Sequence, residues 1–310
     1  MNPVNQYHSS PGKLLITGEY LILKGAEGFA LPLKKGQSLS VTKVNNNDST
    51  LIWEAFSPKG VWFSGTFSTS SFAVISASDK HFALRLMEIL KAVRLLNPEF
   101  LTQGSYHVKT ELDFNPEFGF GSSSTLIANL ARWAAIDAFE LQKLTFKGSG
   151  YDVAVALEAK PLIYAVKQDK PRYHTVTFNP DFAENIYFVY LGKKQRSLDA
   201  VKKFNETAVF TTSQIETVTA ITHEVVKCKS LHKFELLLQE HETILSAILN
   251  TPPVGKRLFP DYSDGVVKSL GAWGGDFVLM TTKQKAKDFK KSLKSSGYEF
   301  VYAFNEIVKS

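Results

Sequence analysis

The sequence predicts an α+β protein of two domains, and three observations lead there. In the first half, short apolar runs and alternating stretches of strand type give way to helical periods, whereas in the second half strands and helices alternate along the chain. Between the halves, Asn179-Pro180-Asp181 supplies a break, which puts the boundary within 177–183 and gives domains of 1–178 and 179–310. With 310 residues, 44% of them hydrophobic and 21% charged, the chain can fill two ordinary cores.

Taken in order, 14–16 and 20–23 are short apolar runs of strand type, 37–44 alternates, the polar 45–48 makes a turn, and 50–56 is a strand. Residues 82–95 carry a helical period and 104–112 alternates as a strand. The run Gly119-Phe120-Gly121-Ser122-Ser123-Ser124 then opens about fifteen residues of helical pattern, with Ile127, Leu130, Ala131, Ala134 and Ala138 on one face. A strand over 161–166 leads into a charged surface turn at 167–172. The second domain reads as strand 186–191, helices 214–228 and 233–249, strand 277–281, helix 285–295 and strand 299–304. That order is a split βαβ, ferredoxin-like unit.

Composition narrows the function classes. Lysine and arginine outnumber aspartate and glutamate 36 to 30, and the net charge of +6 suits a small anionic substrate. No dense basic block interleaves with aromatic residues, so nucleic acid is not an expected partner. With no run of eighteen apolar residues and a polar stretch at 1–10, the expectation is a cytoplasmic chain with neither membrane span nor signal peptide. The single cysteine, Cys228, excludes an internal disulfide and a cysteine-built zinc site, and its helical surroundings predict a buried, inert thiol.

The glycine-serine run points to phosphate. Gly119 and Gly121 let the backbone take positive φ, so successive N–H groups can turn toward an anion, and the helix that follows aims its positive end at the loop. The serine hydroxyls add hydrogen bonds or a magnesium contact. The run is not a Walker A loop, and the catalytic-loop and Asp-Phe-Gly signatures of protein kinases are missing. Taken alone, it reads equally as a flexible loop ending in a serine N-cap.

Three further segments shift that balance: Pro11-Gly12-Lys13-Leu14-Leu15-Ile16-Thr17-Gly18-Glu19-Tyr20, Gly148-Ser149-Gly150-Tyr151-Asp152-Val153-Ala154, and Gly271-Ala272-Trp273-Gly274-Gly275-Asp276. In this order, and over residues 11–276, they resemble the signature motifs of the GHMP small-molecule kinases, nearest to the mevalonate and phosphomevalonate kinases and to a bacterial subgroup named for a Gly-Tyr-Asp-Ile-Ala motif. The resemblance implies an N-terminal domain of ribosomal-protein-like left-handed βαβ architecture beside the ferredoxin-like domain. It also implies ATP and Mg2+ as cofactors and a small anionic metabolite as partner, with a homodimer left open.

Roles follow residue by residue from the resemblance. Asp152 matches the catalytic aspartate, which accepts or orients the proton of the substrate hydroxyl, and Lys13 matches the lysine that keeps that aspartate ionised. Gly119, Gly121, Ser122, Ser123 and Ser124 match the ATP loop, with Ser123 on magnesium and Glu140 as the second metal ligand, at an offset about one residue from the family's pattern. Glu19 matches the acid of the opening motif and is placed in the substrate-binding set through a structural or nucleotide-side hydrogen bond rather than catalysis, and Gly274 and Gly275 let the backbone approach the phosphates and the substrate closely. Lys194, Arg196 and Ser197 resemble a substrate loop whose usual threonine is replaced by Leu191, and their charges equally suit an exposed turn. Trp273 stands where the family has glycine, so its indole either narrows the pocket or turns into the core. Two other readings stay open at this point: a catalytically silent nucleotide or metabolite sensor, and a mevalonate diphosphate decarboxylase.

Overall fold

The computed structural model describes residues 5–44, 48–146, 148–193, 197–273 and 275–309. It mixes α and β and forms two compact units. One takes 1–12, 35–116 and 120–157; the other takes 13–34, 117–119 and 158–310. The chain therefore crosses between units repeatedly, and its first two strands, β1 (Asn5–Thr17) and β2 (Gly28–Val44), run through both.

The first unit continues with β3 (Thr50–Ser57), β4 (Gly60–Ser68), β5 (Val74–Ala77), α1 (Lys80–Leu96), β6 (Ser105–Leu112), α2 (Ser122–Ala134), α3 (Ala138–Thr145) and α4 (Tyr151–Glu158). Its sheet runs β5-β4-β3-β6-β2, antiparallel except for the parallel pair β3 and β6, which the β4–β5–α1 crossover connects. Alternation sets the inner face: Leu39 and Val41 on β2, Leu51, Trp53 and Ala55 on β3, and Phe63 and Phe67 on β4 are all buried. Against them pack Ala83, Leu86, Leu90 and Val93 of α1 and Ile127, Leu130, Ala131 and Ala134 of α2.

The long helix expected after the serine run is two helices. Ala135, in the left-handed region at φ 52°, ends α2, and the Asp137 carboxylate caps α3 by accepting from the Phe139 and Glu140 amides at 2.7 and 3.0 Å. Ala138 thus opens the second helix rather than extending the first.

In the second unit β7 (Leu162–Lys167) pairs with β2 at Gly28–Ala30 and with β8 (Lys170–Thr175). The stretch expected as a surface turn at 167–172 is a tight reversal at Gln168 and Asp169, both at positive φ, followed by this polar strand. There follow β9 (Ile186–Tyr190), α5 (Ser197–Thr207), α6 (Thr212–Lys227), α7 (Leu231–Leu249), α8 (Val254–Leu258), β10 (Val267–Ser269), β11 (Phe277–Thr281), α9 (Ala286–Ser295), β12 (Val301–Ala303) and α10 (Phe304–Ile307). The antiparallel order β10-β11-β9-β12, with helices between β9 and β10 and between β11 and β12, is the ferredoxin-like arrangement.

Residues 20–23 are not a strand. Leu21–Lys24 form a 3-10 turn, because Gly18 at φ 87°, Tyr20 at φ 63° and Gly25 at φ 94° wind the backbone instead of extending it. Gly18 also lies so close to Gly28 that a Cβ on it would stand 2.6 Å from the Gly28 Cα. Cys228 closes α6, 4% exposed, its thiol donating to the Ser230 carbonyl at 3.1 Å. Among the described residues no helix is long and apolar enough to cross a membrane.

Candidate functional site

The serine run sits in the first unit, where the sequence placed it on the helix. Gly121 is the N-cap of α2 at φ 92° and ψ 41°, and having no side chain it cannot cap the helix itself. The Ser124 hydroxyl turns back to the Gly121 carbonyl at 2.9 Å, and Thr125 bonds the Gln37 side chain at 2.9 Å, so both brace the first turn. Ser122 is half-buried and Ser123 is exposed. Both stand in the first turn, at the positive end of a thirteen-residue helix.

Beside those two serines the first unit holds a cavity of about 220 Å3, walled by Trp53, Trp62, Phe63, Phe82, Arg85 and Phe146 as well as Ser122 and Ser123. Its wall carries five aromatic side chains, with the Trp62 and Phe82 rings edge to face at 5.1 Å and the Arg85 guanidinium over the Phe146 ring at 4.4 Å. An apolar slot that opens onto an anion cradle suits a flat ring attached to phosphates. None of the aromatic wall residues stands out in the sequence.

Asp152 lies in the same unit, in the first turn of α4 and half-buried, with its Oδ1 accepting from the Val153 amide at 3.0 Å. A carboxylate there stands at the positive end of the helix. Glu140 is exposed on α3, where its carboxylate accepts from Lys143 at 2.7 Å. Among the described residues, no group of three or more histidine, cysteine, aspartate or glutamate side chains is placed to hold a metal ion.

In the second unit the Lys13 ammonium, on β1, donates to the Gly119 carbonyl at 2.9 Å. Gly119 has φ 66°, and a Cβ there would stand 2.6 Å from the Asp276 Oδ2, so the glycine admits both the backbone turn and the carboxylate against it. Asp276 is itself at φ 52°, held by its amide donating to the Lys193 carbonyl at 2.6 Å and its carbonyl accepting from the Leu191 amide at 2.8 Å. Positive φ at a non-glycine residue beside such contacts is the kind of strain that marks working loops. Gly275 is buried in this turn, while Gly274, Lys194 and Arg196 lie outside the described residues. Ser197 opens α5. Trp273 resolves its alternatives: at 7% exposure the indole is in the core, packed with Tyr20, Phe204, Leu245 and Ile248.

Glu19, expected in the substrate-binding set, is enclosed at 1% exposure by a polar cluster in this unit. The Lys268 ammonium donates to its Oε1 at 2.5 Å and to the Ser269 carbonyl at 2.8 Å, while the Glu242 carboxylate accepts from the Ser269 hydroxyl at 2.8 Å. His241 Nε2 accepts from the Gly18 amide at 2.9 Å and stands 3.3 Å from Glu19 Oε2. Burial holds that imidazole well below its usual range, hence neutral, and pushes the Glu19 carboxyl up to about 7 against the pull of Lys268. Two acceptor atoms facing each other fit a carboxyl that keeps its proton. In the sequence His241 is only one more position on the face of Phe234, Leu238, Leu245 and Ile248.

No protein-family model matches the chain, and no curated protein matches it. Among solved structures it is similar over nearly its whole length to several kinases. The Methanococcus jannaschii mevalonate kinase is 15% identical with TM-score 0.71, covering 96% of this chain and 97% of that one. The Streptococcus pneumoniae phosphomevalonate kinase in complex with phosphomevalonate and AMPPNP is 13% identical with TM-score 0.70, covering 96% and 99%. The Lactococcus lactis galactokinase complexed with galactose is 12% identical with TM-score 0.67, covering 99% and 93%. The chain has the fold of these kinases.

Proposed function

We propose that this protein is an ATP-dependent small-molecule kinase acting on mevalonate or phosphomevalonate. The observation that carries the reading is the aromatic cavity opening onto the uncapped start of α2, which gives a nucleotide its ring slot and its phosphate cradle in one unit. Gly119, Gly121 and Ser122 to Ser124 serve the phosphates. Asp152 takes the hydroxyl proton, and Lys13 offsets the charge of the transferring phosphoryl. Lys194, Arg196, Ser197, Gly274 and Gly275 serve the anionic acceptor.

Hydroxyl donors at a phosphate cradle fit magnesium, which demands few protein ligands. Ser123, at the helix start, would hold it, with Glu140 the carboxylate suggested by likeness alone. When bound, the ion neutralises charge on the nucleotide phosphates.

The test is ADP release from ATP and magnesium over a panel of mevalonate, phosphomevalonate, mevalonate diphosphate, homoserine and galactose, with Asp152→Asn run beside the natural protein. The expected result is turnover on one acceptor that falls roughly a hundredfold or more in the variant, with ATP affinity retained. Carbon dioxide release from mevalonate diphosphate would instead identify a decarboxylase. Nucleotide binding with silence on the whole panel would favour a sensor.

A further inference from the structure

The residue just before the phosphate loop is caged. Phe118, 3% exposed at the end of the 3-10 turn Pro116–Phe118, places its ring among four others of the second unit. Its centroid is 4.7 Å from Tyr190, 4.9 Å from Phe300, 5.6 Å from Phe277 and 6.5 Å from Tyr302. The contacts with Phe277, Phe300 and Tyr302 are edge to face, the arrangement aromatic quadrupoles favour.

The cage belongs to the ferredoxin-like sheet. Phe277 and Tyr190 are register partners on β11 and β9, Tyr302 is on β12, and Tyr190 donates its amide to the Phe300 carbonyl at 3.0 Å. The Tyr190 hydroxyl also donates to the Glu117 carbonyl at 3.3 Å. Immediately after the caged ring comes Gly119, whose carbonyl accepts from Lys13 and whose Cα lies against the Asp276 carboxylate. Three independent restraints therefore converge on two consecutive residues, directly ahead of Gly121 and the serines.

We propose that Phe118 and its aromatic cage are positioning residues, which fix Gly119 at the entry of the phosphate loop so that its amide is preset for nucleotide phosphates. The proposal rests on the kinase reading for what the loop holds, and a preset cradle binds more tightly because less backbone freedom is lost on binding. Phe118 is not part of the cavity wall, and the same sheet carries Leu191 and Lys193 to Asp276, so the entry of the loop is tied to the segment expected to meet the acceptor.

The experiment uses Phe118→Leu, which keeps apolar bulk without the ring, Phe300→Ala, which removes an outer wall of the cage that is 39% exposed, and Phe118→Tyr as the conservative control. MgATP affinity is measured directly, and amide hydrogen exchange at Phe118 and Gly119 is followed without nucleotide. Phe118→Leu and Phe300→Ala are expected to weaken MgATP binding roughly tenfold, the scale set by one or two edge-to-face ring pairs, with kcat at saturating ATP kept and loop exchange accelerated. Phe118→Tyr is expected to match the natural protein in both. If Phe118→Leu fails to fold, Phe300→Ala carries the comparison. Unchanged loop exchange in the folded variants overturns the proposal whatever the nucleotide result. A natural protein that binds no ATP overturns the kinase reading, and the exchange result still decides whether the cage fixes the loop.

Discussion

Glu19 shows how far burial can move a carboxyl from its ordinary titration. Its carboxyl, at about 7 in the folded chain, lies above the 4.5 of an exposed glutamate, so folding takes up a proton between those values. The stability this contributes is fully present below pH 4.5 and is lost as pH rises through 7, a swing of about 3 kcal/mol. Glu19→Gln keeps an acceptor for Lys268 but cannot titrate. The melting temperature of the natural protein relative to this variant should therefore fall from pH 4.5 to pH 7 and then level off. His241, common to both proteins, cancels in the difference. Parallel curves across that range would remove Glu19 from the titration. At Glu140 the expectation is the reverse of the motif's: half-exposed and paired with Lys143, it should give an alanine variant with an unchanged magnesium titration, while Ser123→Ala raises the requirement.

At the scale of elements, the entry to the phosphate loop is tightly constrained at Gly119. Gly119→Ala must accept both a left-handed φ and a methyl 2.6 Å from the Asp276 carboxylate, so it should lose on the order of 1–3 kcal/mol of stability and weaken ATP binding. Adding Asp276→Ala should return the steric share and leave the backbone share. Urea melts of the two variants and of the pair measure both shares; no recovery in the pair would mean the carboxylate is not the obstacle. Elements with a full local period, such as α1, α6 and α7, are legible in the sequence because their apolar spacing alone specifies a face. Strands β4 and β5 are not, since serine, glycine and threonine fill many of their positions and look like turn residues. Helix α4, eight residues long, is too short to show a period, so Asp152 is legible from its motif and not from its helix. The cavity wall and the Phe118 cage escape for a different reason: they assemble from distant strands, and no local pattern encodes such a meeting.

At the scale of the molecule, neither unit is a continuous piece of chain. The core of the second unit takes Tyr20, Leu21 and Ala26 from near the N-terminus to pack with Phe204, Val218 and Leu245, sets Phe29 against Phe178 at 5.0 Å, and bridges Leu33 to Val308. A fragment of residues 179–310 would leave Lys268 without Glu19 and expose that apolar cluster. Its expected behaviour is a broad, non-cooperative thermal transition in circular dichroism, against a cooperative one for the full chain. A sharp melt of the fragment would show that 13–34 is dispensable to the fold.

The pairing of Glu19 with Lys268 across 249 positions also sets a clock. A ribosome delivers residues in order at about 5–20 per second, so the first glutamate waits roughly 10 to 50 s for its lysine to be made. For that interval the strand bearing Lys13 and the apolar residues around it have no finished unit to join. The earliest-translated motif is thus among the last to reach its final surroundings.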